Sequence, residues 1–179
     1  DVIREYENYL VAKNVAADEA EARSGTEAGA SHRPARIVSA RIGEAPGPLY
    51  TYGEPWALEI EWETADPGLA FHLGVGINRS DEVEVCSFAT QLDGLPPWTG
   101  ERRYSARLRI PELPLVKGEF TIYIFLLDGE ALHIFDQRRI PRAFTVHTPQ
   151  YAFGLIRADH TWDLDVRSGS AVQRIVASA

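Results

Sequence analysis

Three carboxylates stand at alternate positions in WALEIEWE, at Glu59, Glu61 and Glu63. Alternate residues on a strand lie about 7 Å apart, a spacing that acid–base pairs of glycosidases use. Glycoside hydrolysis is therefore the first chemistry to weigh. Such catalysis needs one carboxyl held protonated by its surroundings, and nothing in the neighbouring sequence supplies that environment. The same spacing describes a solvated strand face. Arg103, Arg107 and Arg109 alternate in the same way, so if the two segments are neighbours, acid and base form cross-strand pairs worth about 0.2 to 1 kcal/mol each. His72, His133 and His160 are too scattered to read as a metal triad. Asp159 and His160 are adjacent, and neighbours on an extended chain point opposite ways. No phosphate-binding GxxxxGK[ST] loop, GxGxxG turn, GxSxG elbow or paired-cysteine signature occurs. No catalytic residue, metal or cofactor is expected.

A different constellation points to binding. In AFHLGVGINR, Phe71, Leu73, Val75 and Ile77 take one face of a strand, leaving His72, Gly74, Gly76 and Asn78 on the other. Glycine weakens a strand interior, so two at alternate positions suggest close approach to the backbone, or else a bend or bulge. The segment GEFTIYIFLLD is apolar on both faces: Phe120, Ile122, Ile124 and Leu126 suit a core, while Tyr123, Phe125 and Leu127 point away from it. In an immunoglobulin-like order these two strands are neighbours. The aromatic rings then wall a trough floored by glycines, with His72 and Asn78 as polar groups. Such a surface suits a sugar, whose C–H faces lie on rings while its hydroxyls take hydrogen bonds. It suits another protein chain equally well.

Two further residues stand beside this pair with their placement open. An Asp128 to Glu130 loop would put His133 and Phe135 beside Phe125 and Tyr123, whereas an Asp128-Gly129 turn would put Leu132 and Ile134 there. Trp98, in the Pro-rich loop DGLPPWTG, reads either as a ligand contact or as a plug over the end of a sandwich.

The elements that must position these residues follow from periodicity. DVIREYENYL has helical spacing over residues 1–13, and the Ala, Glu, Ser and Gly-rich stretch 14–34 reads as a flexible linker. From Ala35 the period changes to two, with turn residues recurring every eight to twelve positions, the pattern of an antiparallel β-sandwich. The expected strands are Ala35 to Ile42, Trp56 to Glu63, Ala70 to Arg79, Glu82 to Phe88, Arg102 to Ile110, Glu119 to Leu127, Ala131 to Asp136 and Arg142 to His147. The sandwich domain is expected over 35–166 and a C-terminal tail over 167–179.

Composition bounds the partners. The 179 residues carry a formal net charge of -8, which argues against a surface that tracks nucleic-acid phosphates or anionic lipid. A single cysteine, Cys86, permits no intrachain disulfide, and a cytoplasmic setting is the default expectation. No apolar run approaches membrane-spanning length. The start at Asp1 and the absence of methionine read as a piece of a longer protein.

The order of motifs resembles one family. DVIREYENYL is similar to the closing segment of the nucleotide-binding domain in polysaccharide-exporting ABC transporters of the O-antigen lineage. After the linker, YGEPWALEIEW, FHLGVGINRSD, RLRIPELPLVKGEFTIYIFLLD, FDQ, AFTV and YAFGLIRADHTW stand in the order of that family's appended C-terminal carbohydrate-binding domain. The resemblance covers about Arg36 to Trp162. It implies an immunoglobulin-like sandwich that binds O-polysaccharide, often at a modified non-reducing end, and couples chain completion to export. It implies attachment to an ATPase subunit and its membrane partner, at the cytoplasmic side of the inner membrane. It also implies a homodimer, sometimes with an exchanged C-terminal strand; the segment YAFGLIR is strand-like with no partner left in the sandwich, as swapping requires. A role as an assembly module that binds no sugar is the alternative. The resemblance names no ligand residues, so the expected sugar contacts remain those of the trough: His72, Gly74, Gly76, Asn78, Tyr123 and Phe125, with His133 and Trp98 beside them.

Overall fold

The computed structural model describes residues 33–43, 49–149 and 152–158, together with the backbone of 161–168 and 171–178. The chain falls into two units, Asp1–Arg33 and Pro34–Ala179, and every described strand lies in the second. The helix expected over 1–13 and nearly all of the linker lie outside the described residues.

The described residues form ten strands: β1 (Ala35–Ile42), β2 (Leu49–Thr51), β3 (Trp56–Thr64), β4 (Phe71–Arg79), β5 (Glu84–Ala89), β6 (Arg103–Ile110), β7 (Gly118–Asp128), β8 (Ile134–His147), β9 (Thr161–Ser168) and β10 (Ala171–Ser178). Among the described residues there is no helix. One sheet runs β1-β3-β6, and a second runs β2-β8-β7-β4-β5. The first matches strands A, B and E of an immunoglobulin sandwich, and β4, β7 and β8 match C, F and G. One pairing departs from the antiparallel expectation: β2 runs parallel to β8, Tyr50 opposite Val146.

Alternation decides what each sheet buries. From β3, Trp56, Leu58, Ile60 and Trp62 enter the core, and from β4 and β7 come Phe71, Leu73, Val75, Ile77, Phe120, Ile122, Ile124 and Leu126. Phe144 of β8 is wedged between Tyr50, Trp56 and Phe120, with ring centroids 5.7, 5.5 and 5.2 Å away. Fully burying side chains of this size contributes about 1.5 to 3 kcal/mol each. The polar face of β3 is a solvated charge ladder. Arg107 and Arg103 approach Glu59 and Glu63 at 3.6 Å, Arg36 reaches Glu63 at 2.6 Å, and Glu61, opposite Ser105, takes Arg41 and Ser39 of β1 instead.

Two expectations are corrected. The segments Ala131 to Asp136 and Arg142 to His147 are not separate strands. Ile134 to Asp136 of the first and all of the second belong to β8, whose register slips where Phe120 faces Phe144 but Ile122 faces Ile140. Pro141 lacks an N–H for the ladder and sits at this bulge, as prolines in strands do, beside Arg142 at φ 49. YAFGLIR is not an unpaired strand either. Leu115 bridges Ile156, Val116 N donates to Leu155 O at 2.8 Å, and Arg157 N donates to Pro114 O at 2.9 Å, so the chain itself holds residues 155–157. Within the stretch expected as a C-terminal tail, β10 pairs with β9 along its length, from Ala171 opposite Ser168 to Ser178 opposite Thr161.

Candidate carbohydrate-binding site

The outer face of the five-stranded sheet is set by cross-strand register. Opposite residues point to the same face, and β4 pairs β7 with His72 facing Leu127, Gly74 facing Phe125, Gly76 facing Tyr123 and Asn78 facing Thr121. The expected neighbourhood of glycines and aromatics is therefore present. On the far side of β4, Ala89 and Ser87 of β5 face Gly74 and Gly76. On the far side of β7, Gln137 and Arg139 of β8 face Phe125 and Tyr123.

The two glycines play different parts. A Cβ on Gly74 would meet Phe125 Cβ at 3.6 Å, its Cδ2 at 3.7 Å and Leu127 Cδ1 at 3.8 Å, so the group approaching this backbone is the chain's own ring. Gly74 is buried, whereas Gly76 is partly open and would meet Tyr123 Cβ at 3.7 Å. Only Gly76 is open floor. The Tyr123 and Phe125 rings lie parallel, with an 8° interplanar angle and centroids 6.5 Å apart, and both are half-buried.

Of the polar residues expected here, two are withdrawn from the surface. His72 is only 3% exposed, its Nδ1 hydrogen-bonded with Thr90 Oγ1 at 3.0 Å. Asn78 is 9% exposed. Both come from an inner strand of the sheet, flanked by β5 and β7, so the same register that gathers them also covers them.

His133 takes neither of the two expected registers. It stands at the hairpin end, where Asp128 N donates to His133 O and the Asp128 carboxylate accepts from the backbone of Leu132 and His133 and from His133 Nδ1, the last at 2.8 Å. Burial pushes the Asp128 carboxyl up, but these bonds outweigh it and hold it below its ordinary value. The loop therefore spans Gly129 to His133, with Ala131 at φ 56. A second register shift between Leu126 and Leu127 then brings Gln137 and Arg139 to the aromatic pair. Trp98 adopts the plug arrangement. Its backbone exchanges hydrogen bonds with Phe71, and its ring rests on Trp62 with centroids 5.5 Å apart, packed against the core.

Two residues that the sequence did not single out complete the site. The Tyr123 hydroxyl donates to Glu82 Oε2 at 2.5 Å and accepts from Arg139 Nε at 3.0 Å, while Arg139 Nη2 donates to Glu82 Oε1 at 2.7 Å. The Arg139 guanidinium also lies 5.7 Å from the Tyr123 ring centroid. Burial and the Glu82 carboxylate push the Tyr123 phenol above its ordinary value, against a smaller opposite pull from Arg139. Glu82 holds a left-handed φ of 65. A charged residue in a turn is not a signal by itself, and Arg139 depended on the β8 register. Among the described residues no three of His, Cys, Asp and Glu converge as metal ligands would.

This architecture has a solved counterpart. Its fold is similar to that of the C-terminal domain of wzt. The crystal structure of that domain aligns with a TM-score of 0.56 at 12% identity, over 70% of this chain and 80% of that one. The alkylpurine DNA glycosylase AlkC of Pseudomonas fluorescens bound to abasic-site DNA aligns at TM-score 0.42 and 11% identity, over 65% of this chain and 31% of that one. A glycosyl hydrolase family 2 member from Bacteroides cellulosilyticus also aligns at 0.42 and 11%, over 60% and 15%. Both scores are too low to bear on function. No protein-family model and no curated protein matches the sequence.

Proposed function

We propose that this chain binds polysaccharide as the C-terminal domain of the ATP-binding subunit of an O-antigen-type ABC exporter. The part played is recognition of a finished chain, at its non-reducing end, before export. The observation that carries the reading is the half-exposed Tyr123–Phe125 pair, parallel in plane, beside the open Gly76 and a hydrogen-bonding Glu82–Arg139 edge. An aromatic platform with a polar rim is what a pyranose needs. The order of sequence motifs supports the exporter context, and the fold match to a C-terminal domain agrees with it. The partners are then the glycan, a second copy of the chain and, through the full-length subunit, the membrane component; the setting is the cytoplasmic side of the inner membrane. No catalytic residue is assigned.

Tyr123→Ala and Phe125→Ala are expected to abolish retention of the chain on cognate polysaccharide while leaving its circular dichroism spectrum and melting cooperativity intact. Unchanged retention by both variants would remove the outer sheet face from contention. One observation favours a second reading, an assembly or dimerisation module that binds no sugar: β9 and β10 pair with each other and with no other described strand. Silence of the wild-type chain toward millimolar polysaccharide, together with a dimer that dissociates when residues 161–178 are removed, would favour that reading.

A further inference from the structure

We propose that Glu82 and Arg139 are the specificity-determining arm of this site, and that the sugar it takes is an uncharged residue presenting two adjacent hydroxyls. The inference rests on the carbohydrate reading above and deepens it.

Three separate elements build the arm. Tyr123 comes from β7, Arg139 from β8 and Glu82 from the turn between β4 and β5, and their side chains close a ring of hydrogen bonds at 2.5, 3.0 and 2.7 Å. The turn is strained to achieve it. A non-glycine residue at a left-handed φ is strained, and Gly or Asn would adopt the φ of 65 seen at Glu82 more readily. Strain of this kind persists where the surrounding structure over-determines it, commonly at binding sites. Here it delivers a carboxylate to the rim of the aromatic pair.

The arm retains hydrogen-bonding capacity. Arg139 uses Nε and Nη2, which leaves the N–H groups of Nη1; each Glu82 oxygen accepts a single bond and keeps a further lone pair. The side chains are 41% and 46% exposed, so these groups face solvent. A donor edge beside an acceptor edge matches a vicinal diol, in which one hydroxyl donates to the carboxylate and its neighbour accepts from the guanidinium. Acidic sugars fit poorly. The Arg139 charge is already balanced by Glu82, so a uronic acid would meet no net positive field and would bring its carboxylate up to another.

The test uses the full chain on an oligosaccharide array carrying neutral and uronic-acid-containing glycans, followed by titration of the tightest ligand. Wild type should retain neutral glycans. Glu82→Gln and Arg139→Gln should each weaken binding about tenfold or more, as loss of charge-assisted hydrogen bonds does, with unchanged melting. Because the arm reads hydroxyls directly, both variants should lose glycans that present two adjacent hydroxyls while keeping the weaker binding of glycans in which one of the two is absent. An equal proportional loss on both kinds of glycan would overturn that role and make the arm a support for Tyr123. Preference for uronic acids would overturn the assignment of an uncharged ligand. Full binding by both Gln variants, with loss confined to Phe125→Ala, would sink the arm and leave the carbohydrate reading standing; retention of no glycan by wild type would sink both.

Discussion

The glycines of β4 allow a separation of internal packing from ligand approach. Neither Gly74 nor Gly76 has a positive φ, so no backbone conformation requires them. A Cβ would find its neighbours at 3.6 to 3.8 Å at Gly74 and at 3.7 to 3.9 Å at Gly76, ordinary contact in both cases. Gly→Ala at a compatible site stabilises by about 0.4 to 1 kcal/mol through the unfolded chain. At buried Gly74 the methyl adds up to about 0.8 kcal/mol more, so Gly74→Ala should stabilise by roughly 1 to 2 kcal/mol. For a chain of this size that raises Tm by roughly 4 °C, and at a urea m-value of about 2 kcal/mol/M it moves the midpoint by roughly 0.5 to 1 M. Gly76→Ala should gain only the chain-entropy part. Their effects on glycan binding should run the other way: Gly74, beneath Phe125, tolerates the methyl, while Gly76→Ala raises the open floor and weakens binding about tenfold, within the range of overpacking costs. Urea melts and titration of each variant against polysaccharide check both halves. Destabilisation by either alanine beyond about 1 kcal/mol would show that internal packing demands the glycine, and unaltered binding by Gly76→Ala would show that the ligand does not reach the floor.

Other outcomes follow from single contacts. The bulge between Ile37 and Ser39 turns Ile37 N toward Asp136 Oδ2 at 2.7 Å, tying β1 to the other sheet; Asp136→Ala should cost about 1.5 to 3 kcal/mol in denaturant melts. Tyr50 is buried with no hydrogen-bond partner for its hydroxyl, so Tyr50→Phe should be neutral or stabilising by about 1 kcal/mol in the same assay. The Tyr123 phenol is raised by burial first and then by Glu82. The folded state therefore holds its proton longer than the unfolded one, and this contribution is present below about pH 10 and lost as pH rises through the folded value. Ultraviolet titration should find a late-ionising tyrosine that Tyr123→Phe removes, along with Tyr50, which burial also raises.

Alternating patterns determined much of this protein in advance. Period-two runs placed Trp56, Leu58, Ile60 and Trp62 in the core, and one strand pairing assumed from the immunoglobulin order brought Gly76 opposite Tyr123. Such readings need only the pleat, which sends neighbouring side chains to opposite faces. Register and burial were decided by the tertiary structure. Nothing local to QRR says that Arg139 faces Tyr123; that depends on the Asp128-capped loop and on a bulge in β8 where it pairs with β7. Likewise His72 and Asn78 read as exposed polar groups on alternation alone, yet a strand flanked on both sides lies beneath what its neighbours project. The hydrophobic pattern of a strand selects a face; what then covers that face, and which charges reach its rim, is a property of the assembled sheet.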